Sequence, residues 1–214
     1  MTLEMSRSDT VLIVVDVQNG FLPGGHLAVA HGDRIIPVIN HIASLFSNVV
    51  LTQDWHPSGH MSFASSHAGH KPYDTMKVRY GMQVLWPDHC VQGTLDAELS
   101  PSLQIPHAQL IIRKGFHPET DSYSAFMEAD RQTSTGLAGY LRERDITQCY
   151  ICGLATDFCV AWTALDARRM GFAAVVIEDA CQGIDLNGSL TKAWEEMAAA
   201  GVQRIQSENL TSTI

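Results

Sequence analysis

Five short apolar runs, separated by amphipathic stretches, constrain the fold more than any other feature of this sequence. They are TVLIVVDVQ (10–18), NVVLTQD (48–54), QLIIRKG (109–115), QCYICGL (148–154) and AAVVIEDA (173–180). A run that is apolar at every position, rather than at alternate ones, has both faces covered, as in a parallel sheet. Between and after the runs, DRIIPVINHIASLFS (33–47), LAGYLRERD (137–145), DFCVAWTALDARRMG (157–171) and LTKAWEEMAAAG (190–201) space apolar residues at helical intervals. Asp33 is placed to cap the first helix and Gly171 to close the third. VQRI (202–205) reads as a short edge strand. The alternation predicts an α/β fold with a mostly parallel sheet and helices on both faces. No low-complexity linker divides residues 1–214, which read as a single domain. A long region rich in His, Gly, Ser and Pro, from about 55 to 108, interrupts the rhythm, and loops of that length are usually functional.

Composition narrows the function classes. Fourteen Lys and Arg against 23 Asp and Glu leave a net charge of −9, with no basic run, which argues against nucleic acid and against anionic membranes. No segment approaches the ~20 continuous apolar residues of a membrane span. The stretch MTLEMSRSDT has no apolar core of the secretory type, so the cytoplasm is the default expectation. The five cysteines are an odd number, unsuited to a full disulfide framework. Cys149 and Cys152 form a CxxC inside an apolar run and read as buried structural residues, because redox pairs sit at helix starts. Residues 207–214, SENLTSTI, carry no signal and are expected to fray. A homo-oligomer is left open.

Ligands of open α/β sheets bind outside the carboxyl ends of the parallel strands. Asp16, Asp54 and Lys114 each end an apolar run, and Cys159 lies just beyond a fourth, within GLATDFCV (153–160). Singly, each charged residue need only mark its strand's exit into solvent, and Cys159 reads equally as a packed apolar side chain. Together they are chemically coherent. A helix start and a nearby ammonium both favour a Cys159 thiolate, and Asp16 could accept the thiol proton and return it to a leaving group. The three suit acyl transfer at an amide, and no GxSxG, GxxxxGK[ST] or GxGxxG motif competes. QDWHPSGHMSFA (53–64) supplies Asp54, His56 and His60, and WPDHC (86–90) adds His89. One carboxylate with two or three imidazoles suits Zn²⁺, Mn²⁺ or Fe²⁺, although a surface histidine cluster would look the same. His67 and His70 are a rival pair without an evident carboxylate.

Taken in order, VVDVQNGFLPGGHLAV, TQDWHPSGHMSFAS, WPDHCVQGT, KGFHPETDSYSAF and GLATDFCVAWTALDA resemble the successive signatures of the nicotinamidases (pyrazinamidases), among the isochorismatase-like cysteine hydrolases. The resemblance runs from about residue 10 to about 200. It implies a Rossmann-like sheet and hydrolysis of nicotinamide to nicotinate and ammonia in NAD salvage, with pyrazinamide as a further substrate. It implies Asp16, Lys114 and Cys159 as the catalytic triad. Asp54, His56 and His89 would hold one divalent metal ion, Zn²⁺ first and Fe²⁺ or Mn²⁺ as alternatives. His60 falls where some members place a further ligand. Phe21, Trp86 and Tyr123 match aromatic positions that enclose the pyridine ring, and Leu27 an apolar wall position. A cis peptide before Ala155 would turn the N–H groups of Ala155 and Cys159 toward the substrate oxygen. One departure stands out: the family usually reads QNDF where this chain has QNGF, which puts the loop around Gly20 in question. Sibling activities remain as alternatives, namely N-carbamoyl amide hydrolysis, vinyl ether hydrolysis of the isochorismatase type, and a silent metal-binding module. Cys159 argues against the vinyl ether branch, the intact triad against the silent module, and the Asp54/His56/His89 set favours nicotinamide.

Overall fold

The computed structural model describes residues 3–4 and 8–211. In chain order its elements are β1 (Leu3–Glu4), β2 (Thr10–Val15), α1 (Ile35–Ala43), β3 (Val49–Asp54), β4 (Thr75–Val78), β5 (Gly81–Val84) and β6 (Leu110–Lys114). There follow α2 (Leu137–Arg142), β7 (Gln148–Leu154), α3 (Ala161–Arg169), β8 (Ala173–Gln182), α4 (Ser189–Ala199), β9 (Gln203–Ile205) and β10 (Leu210–Thr211). Six strands form the central sheet in the order β6-β3-β2-β7-β8-β9. Every neighbouring pair in it is parallel. From β2 the chain steps outward through β3 and β6, then returns to the other side of β2 for β7, β8 and β9. That reversal opens a crevice between the carboxyl ends of β2 and β7.

Burial follows the apolar runs. Every residue of β2 and β3 is buried, and so is every residue of β7 after Gln148, because helices and loops cover both faces of these strands. The edge strand β6 alternates instead, with Ile111 half exposed. Among the described residues, no helix is long and apolar enough to cross a membrane.

Several boundaries differ from the sequence reading for local reasons. Asp33 does not cap α1; it lies in a tight 3-10 turn, Gly32–Arg34, entered through a left-handed His31, and the helix starts without a side-chain cap. α2 ends at Arg142, and Asp145 adopts a positive φ of 55°. The helix expected from 157 begins as one wide turn, Thr156–Val160, in which the Val160 N–H reaches back five residues to Ala155 O at 3.1 Å. α3 then runs to Arg169, and Gly171 (φ 91°) closes it as expected. The region 55–108 contains an antiparallel hairpin, β4–β5, whose runs TMKV and GMQV alternate polar and apolar residues but are only four residues long each. Residues 207–211 do not fray. Ser207 donates its N–H to Asp179 Oδ1 at 2.7 Å, and Leu210 pairs with Leu3 across β1 and β10. Residues 212–214 lie outside the described residues.

Gly153 brings β7 against β2. It sits at a register shift in the β7–β8 pairing, has φ 116°, and a Cβ there would lie 2.1 Å from Val15 O. Only glycine combines that dihedral with that approach. Gly153→Ala is expected to lower the unfolding free energy by about 3 kcal/mol, read from urea denaturation, because an overpacked core and a strained φ act together. A loss below about 0.5 kcal/mol, the usual scatter of surface substitutions, would contradict this close approach.

Candidate active site

Lys114 ends β6 beside Asp54, its register partner at the end of β3, and is completely buried. Its ammonium lies 2.8 Å from Asp16 Oδ2, donates to Asp54 Oδ1, reaches Ser122 O at 3.2 Å and approaches Cys159 Sγ at 3.4 Å. The four strand-end residues singled out in the sequence therefore meet at one point. Asp16, one residue beyond β2, is fixed by β3: Thr52 Oγ1 donates to Asp16 Oδ1 at 2.6 Å and accepts the Asp16 N–H at 3.1 Å. The Gln18 side chain stitches the β2 exit to β3, donating to Asp54 O (2.8 Å) and accepting the Asp54 N–H (2.7 Å).

Charge in this dry cluster decides protonation. Burial alone would strip the proton from Lys114, but Asp16 and Asp54 hold its ammonium well above the usual lysine range. Burial raises the Asp16 carboxyl even though Lys114 opposes it. Burial would raise Asp54 too, yet the Lys114 ammonium beside it holds it well below the usual carboxylate range. The Cys159 thiol is pushed well up, first by burial and then by the two carboxylates, with Lys114 pulling the other way. Burial therefore favours the Cys159 thiol, against the thiolate that a helix start and the Lys114 ammonium favour.

Asp54 also faces a second group. His56 Nε2 and His89 Nε2 lie 3.7 and 3.8 Å from Asp54 Oδ2. The Nδ1 atoms of these rings are 2.8 Å from Gly115 O and Pro87 O. A carbonyl can only accept, so each Nδ1 carries the proton and each Nε2 keeps its lone pair. One carboxylate oxygen and two imidazole nitrogens thus converge within 4.8 Å, near the ~3.4 Å edge expected of a tetrahedron with bonds of about 2.1 Å. The donor set fits a divalent cation. His60 is differently committed. Its Nε2 points at His117 O (2.9 Å) and Thr120 O (3.2 Å), and its Nδ1 faces Ser62 Oγ at 2.7 Å, which leaves no lone pair free. The grouping of Asp16, Asp54 and Cys159 is occupied by the Lys114 ammonium and has no need of an ion. Phe63, wholly buried, packs its ring against those of His56, His60 and His89 and keeps that side apolar.

A small cavity opens on both groups. Phe21, Leu27, Trp86 and Tyr123 wall it, with Asp54, His56, His89, Ala155 and Cys159 among its other lining residues. The Leu154–Ala155 peptide is cis, as the resemblance implied. His67 and His70 stay apart from this site; His67 Nε2 meets Met61 O, and His70 lies near Asp74. All five cysteines are free, with Cys149 and Cys152 in the core.

With this geometry in hand, comparison with known proteins is decisive. Residues 10–209 match the family model of the isochorismatase domain. The nicotinamidase of Acinetobacter baylyi is 64% identical over 211 residues, covering 98% of this chain and 99% of the relative. The chain belongs to the nicotinamidase/pyrazinamidase family of isochorismatase-like hydrolases. Among solved structures, PnC1 of L. infantum in complex with nicotinate superposes with a TM-score of 0.88 at 38% identity, covering 100% of both chains. The pyrazinamidase of Pyrococcus horikoshii in complex with zinc gives 0.76 at 37%, covering 92% of this chain and 99% of that one.

Some residues of this nicotinamidase-family site escaped the sequence reading. Thr52 and Gln18 stand inside apolar runs as polar residues without a neighbour to explain them, which was the available signal. Asp121, Ser122, Phe158 and Ile184 complete the cavity wall. Asp121 accepts from Gln83 Nε2 at 2.6 Å, a contact made across the hairpin that nothing local announces. Asp157, in the wide turn, accepts the N–H groups of Ile184 (2.9 Å) and Asp185 (2.8 Å) and so fixes Ile184. Gly115 has φ 69°, and a Cβ there would lie 2.5 Å from His56 Cε1 and 2.7 Å from Nδ1. Gly115→Ala is therefore expected to displace the His56 ring and cut bound metal at least ~10-fold, read by elemental analysis of the purified protein. Full occupancy in that variant would remove His56 from the donor set.

Proposed function

We propose that this chain hydrolyses nicotinamide to nicotinate and ammonia through a Cys159 thioester, accepts pyrazinamide as well, and does so with Asp16, Lys114 and Cys159 as its catalytic residues. The observation that carries the reading is the Lys114 ammonium, which touches Asp16, Asp54 and Cys159 at once and joins a base–nucleophile pair to an Asp/His/His set over one small cavity. A carboxamide on a single aromatic ring suits walls made by Phe21, Trp86 and Tyr123 with Leu27.

Asp16, its proton affinity raised by burial, takes the Cys159 proton as the sulfur attacks the carboxamide carbon. A C–S bond forms and the carbonyl oxygen becomes an oxyanion, for which the N–H groups of Ala155 and Cys159 are the donors; removing one such donor typically costs ~10²–10³ in rate. Asp16 then gives its proton to the amide nitrogen, the C–N bond breaks, and ammonia leaves. Water attacks the thioester carbon and gives a proton to Asp16, the C–S bond breaks to release the acid that leaves as nicotinate, and the Asp16 proton restores the Cys159 thiol. Lys114 stays charged throughout and holds Asp16 in place. Asp54, His56 and His89 are the residues that hold the metal, for which we propose Zn²⁺; when bound, the ion supplies a Lewis-acidic anchor for the substrate ring. His60 serves this set from outside, through packing on His56.

Ammonia release from nicotinamide should fall by at least ~10³-fold in Cys159→Ala, since nothing else in the cluster forms the covalent intermediate. An alanine variant working near the normal rate would rule out the thioester. Asp54→Ala and His56→Ala should each be purified with little zinc, because either substitution removes one of three donors. Stoichiometric metal in both would leave the ligand assignment without support.

A further inference from the structure

Gly20 has no room for a side chain. A Cβ built there would lie 2.6 Å from Asp96 Oδ2, 2.9 Å from Asp96 Cγ and 2.9 Å from Cys90 Sγ. The Asp96 carboxylate occupies the space that a side chain at position 20 would claim. It is held there on a firmly tied turn, Leu95–Ala97. The Ala97 carbonyl accepts from Gln18 Nε2 and Gln53 Nε2, each at 2.8 Å, and Leu95 O accepts from Asn19 Nδ2 at 2.8 Å.

From that turn the carboxylate reaches two other loops. Oδ2 accepts the Cys90 N–H at 2.7 Å. Oδ1 accepts the His26 N–H at 3.2 Å and meets His26 Nδ1 at 2.7 Å. Each partner adjoins part of the site. Cys90 directly follows His89, adopts φ 46°, uncommon for a residue with a side chain, and its carbonyl accepts the His56 N–H at 3.1 Å. The peptide at Cys90 thus links both imidazole ligands. His26 precedes Leu27, whose N–H donates to Gly20 O at 3.0 Å, and Leu27 and Phe21 wall the cavity.

We infer that Asp96 is a positioning residue that holds the His56/His89 donor pair through Cys90 and the Phe21–Leu27 wall through His26, and that Gly20 is its obligate complement: one carboxylate serves this point, supplied from position 96 and not from position 20. The inference rests on the metal site and reaction proposed above. It treats the two positions as one unit, so exchanging them should be tolerated where altering either alone is not.

The test compares zinc-loaded wild type with Asp96→Ala, Gly20→Asp, His26→Ala and the exchange Gly20→Asp/Asp96→Gly. Zinc transfer from each holoenzyme to a chromogenic chelator is followed alongside kcat, KM and the thermal midpoint. Asp96→Ala should lose zinc ~10–100-fold faster, the usual effect of removing a group that orients a ligand, with a raised KM. Gly20→Asp should behave similarly because two carboxylates then collide, and the exchange should recover zinc retention to within about threefold of wild type by restoring the outer contact. His26→Ala, whose side chain is 72% exposed, should fold normally, raise KM and keep zinc at the wild-type rate. Asp96→Ala with wild-type zinc retention and KM would overturn the inference. So would an exchange variant no better than the worse single, a comparison that holds even if Asp96→Ala fails to fold. A wild type that holds no metal or releases no ammonia would instead defeat the functional reading.

Discussion

An ammonium sealed among two carboxylates and a thiol is the constraint around which the rest of this molecule is arranged. Lys114 and Asp16 are wholly buried and Asp54 almost so, and removing one partner of such a group typically costs 3–5 kcal/mol (about a third or more of a domain's stability) because a bare charge is left behind. The fold must therefore deliver all of them together. It does so by ending three parallel strands in register, with Asp54 paired to Lys114 and Asp16 pinned by Thr52 from the next strand. Gln18, Gln53 and the turn at Ala97 then lock the strand exits. The same carboxylate, Asp54, neutralises Lys114 through one oxygen and faces two imidazoles through the other. Any shift of β3 is felt by both halves of the site.

The parts legible in the sequence were those dictated by local chemistry and by long apolar runs. The strands ending at Asp54, Lys114 and Leu154 emerged because both faces of a parallel sheet must be apolar, and the strand-end rule then gathered Asp16, Asp54, Lys114 and Cys159 into one crevice. What stayed hidden depended on contacts distant in the chain. Asp33 looked like a helix cap, but the preceding left-handed His31 turned the chain too tightly for it to act as one. The β4–β5 hairpin does alternate polar and apolar residues, but in two four-residue runs that stand out little beside the long apolar strands. The proton affinity of Cys159 could not be read either, because it depends first on how completely the sulfur is buried and then on the charges beside it. Motif order did place His60 near the ligands, and it packs on His56, but how its Nε2 is engaged is set by carbonyls more than fifty residues away in the chain.

Glycine positions carry much of the precision. Gly153 lets β7 press on β2, Gly115 leaves room for the His56 ring, and Gly20 yields its volume to Asp96. None of the three touches the reacting atoms of the proposed mechanism; each withholds a side chain so that a neighbour can occupy the space. An apparently plain residue therefore constrains the molecule as firmly as a charged one, through the sheet at Gly153 and through the metal-site loops at Gly115 and Gly20.

The wide turn at 156–160 has an implication for chain length. A helical residue turns the chain by about 100°, so an added residue within one turn resets the angular phase of everything after it. Here the turn carries Cys159 toward the crevice while α3 still lays Ala161, Ala164 and Ala167 inward and leaves Arg168 and Arg169 outside. Deleting one residue would force a choice between the two orientations: either the sulfur swings away from Lys114, or the arginines are driven into the sheet. The spacing between the cis peptide and α3 is therefore a fixed length in this scaffold, intolerant of the insertions and deletions that exposed loop tips absorb.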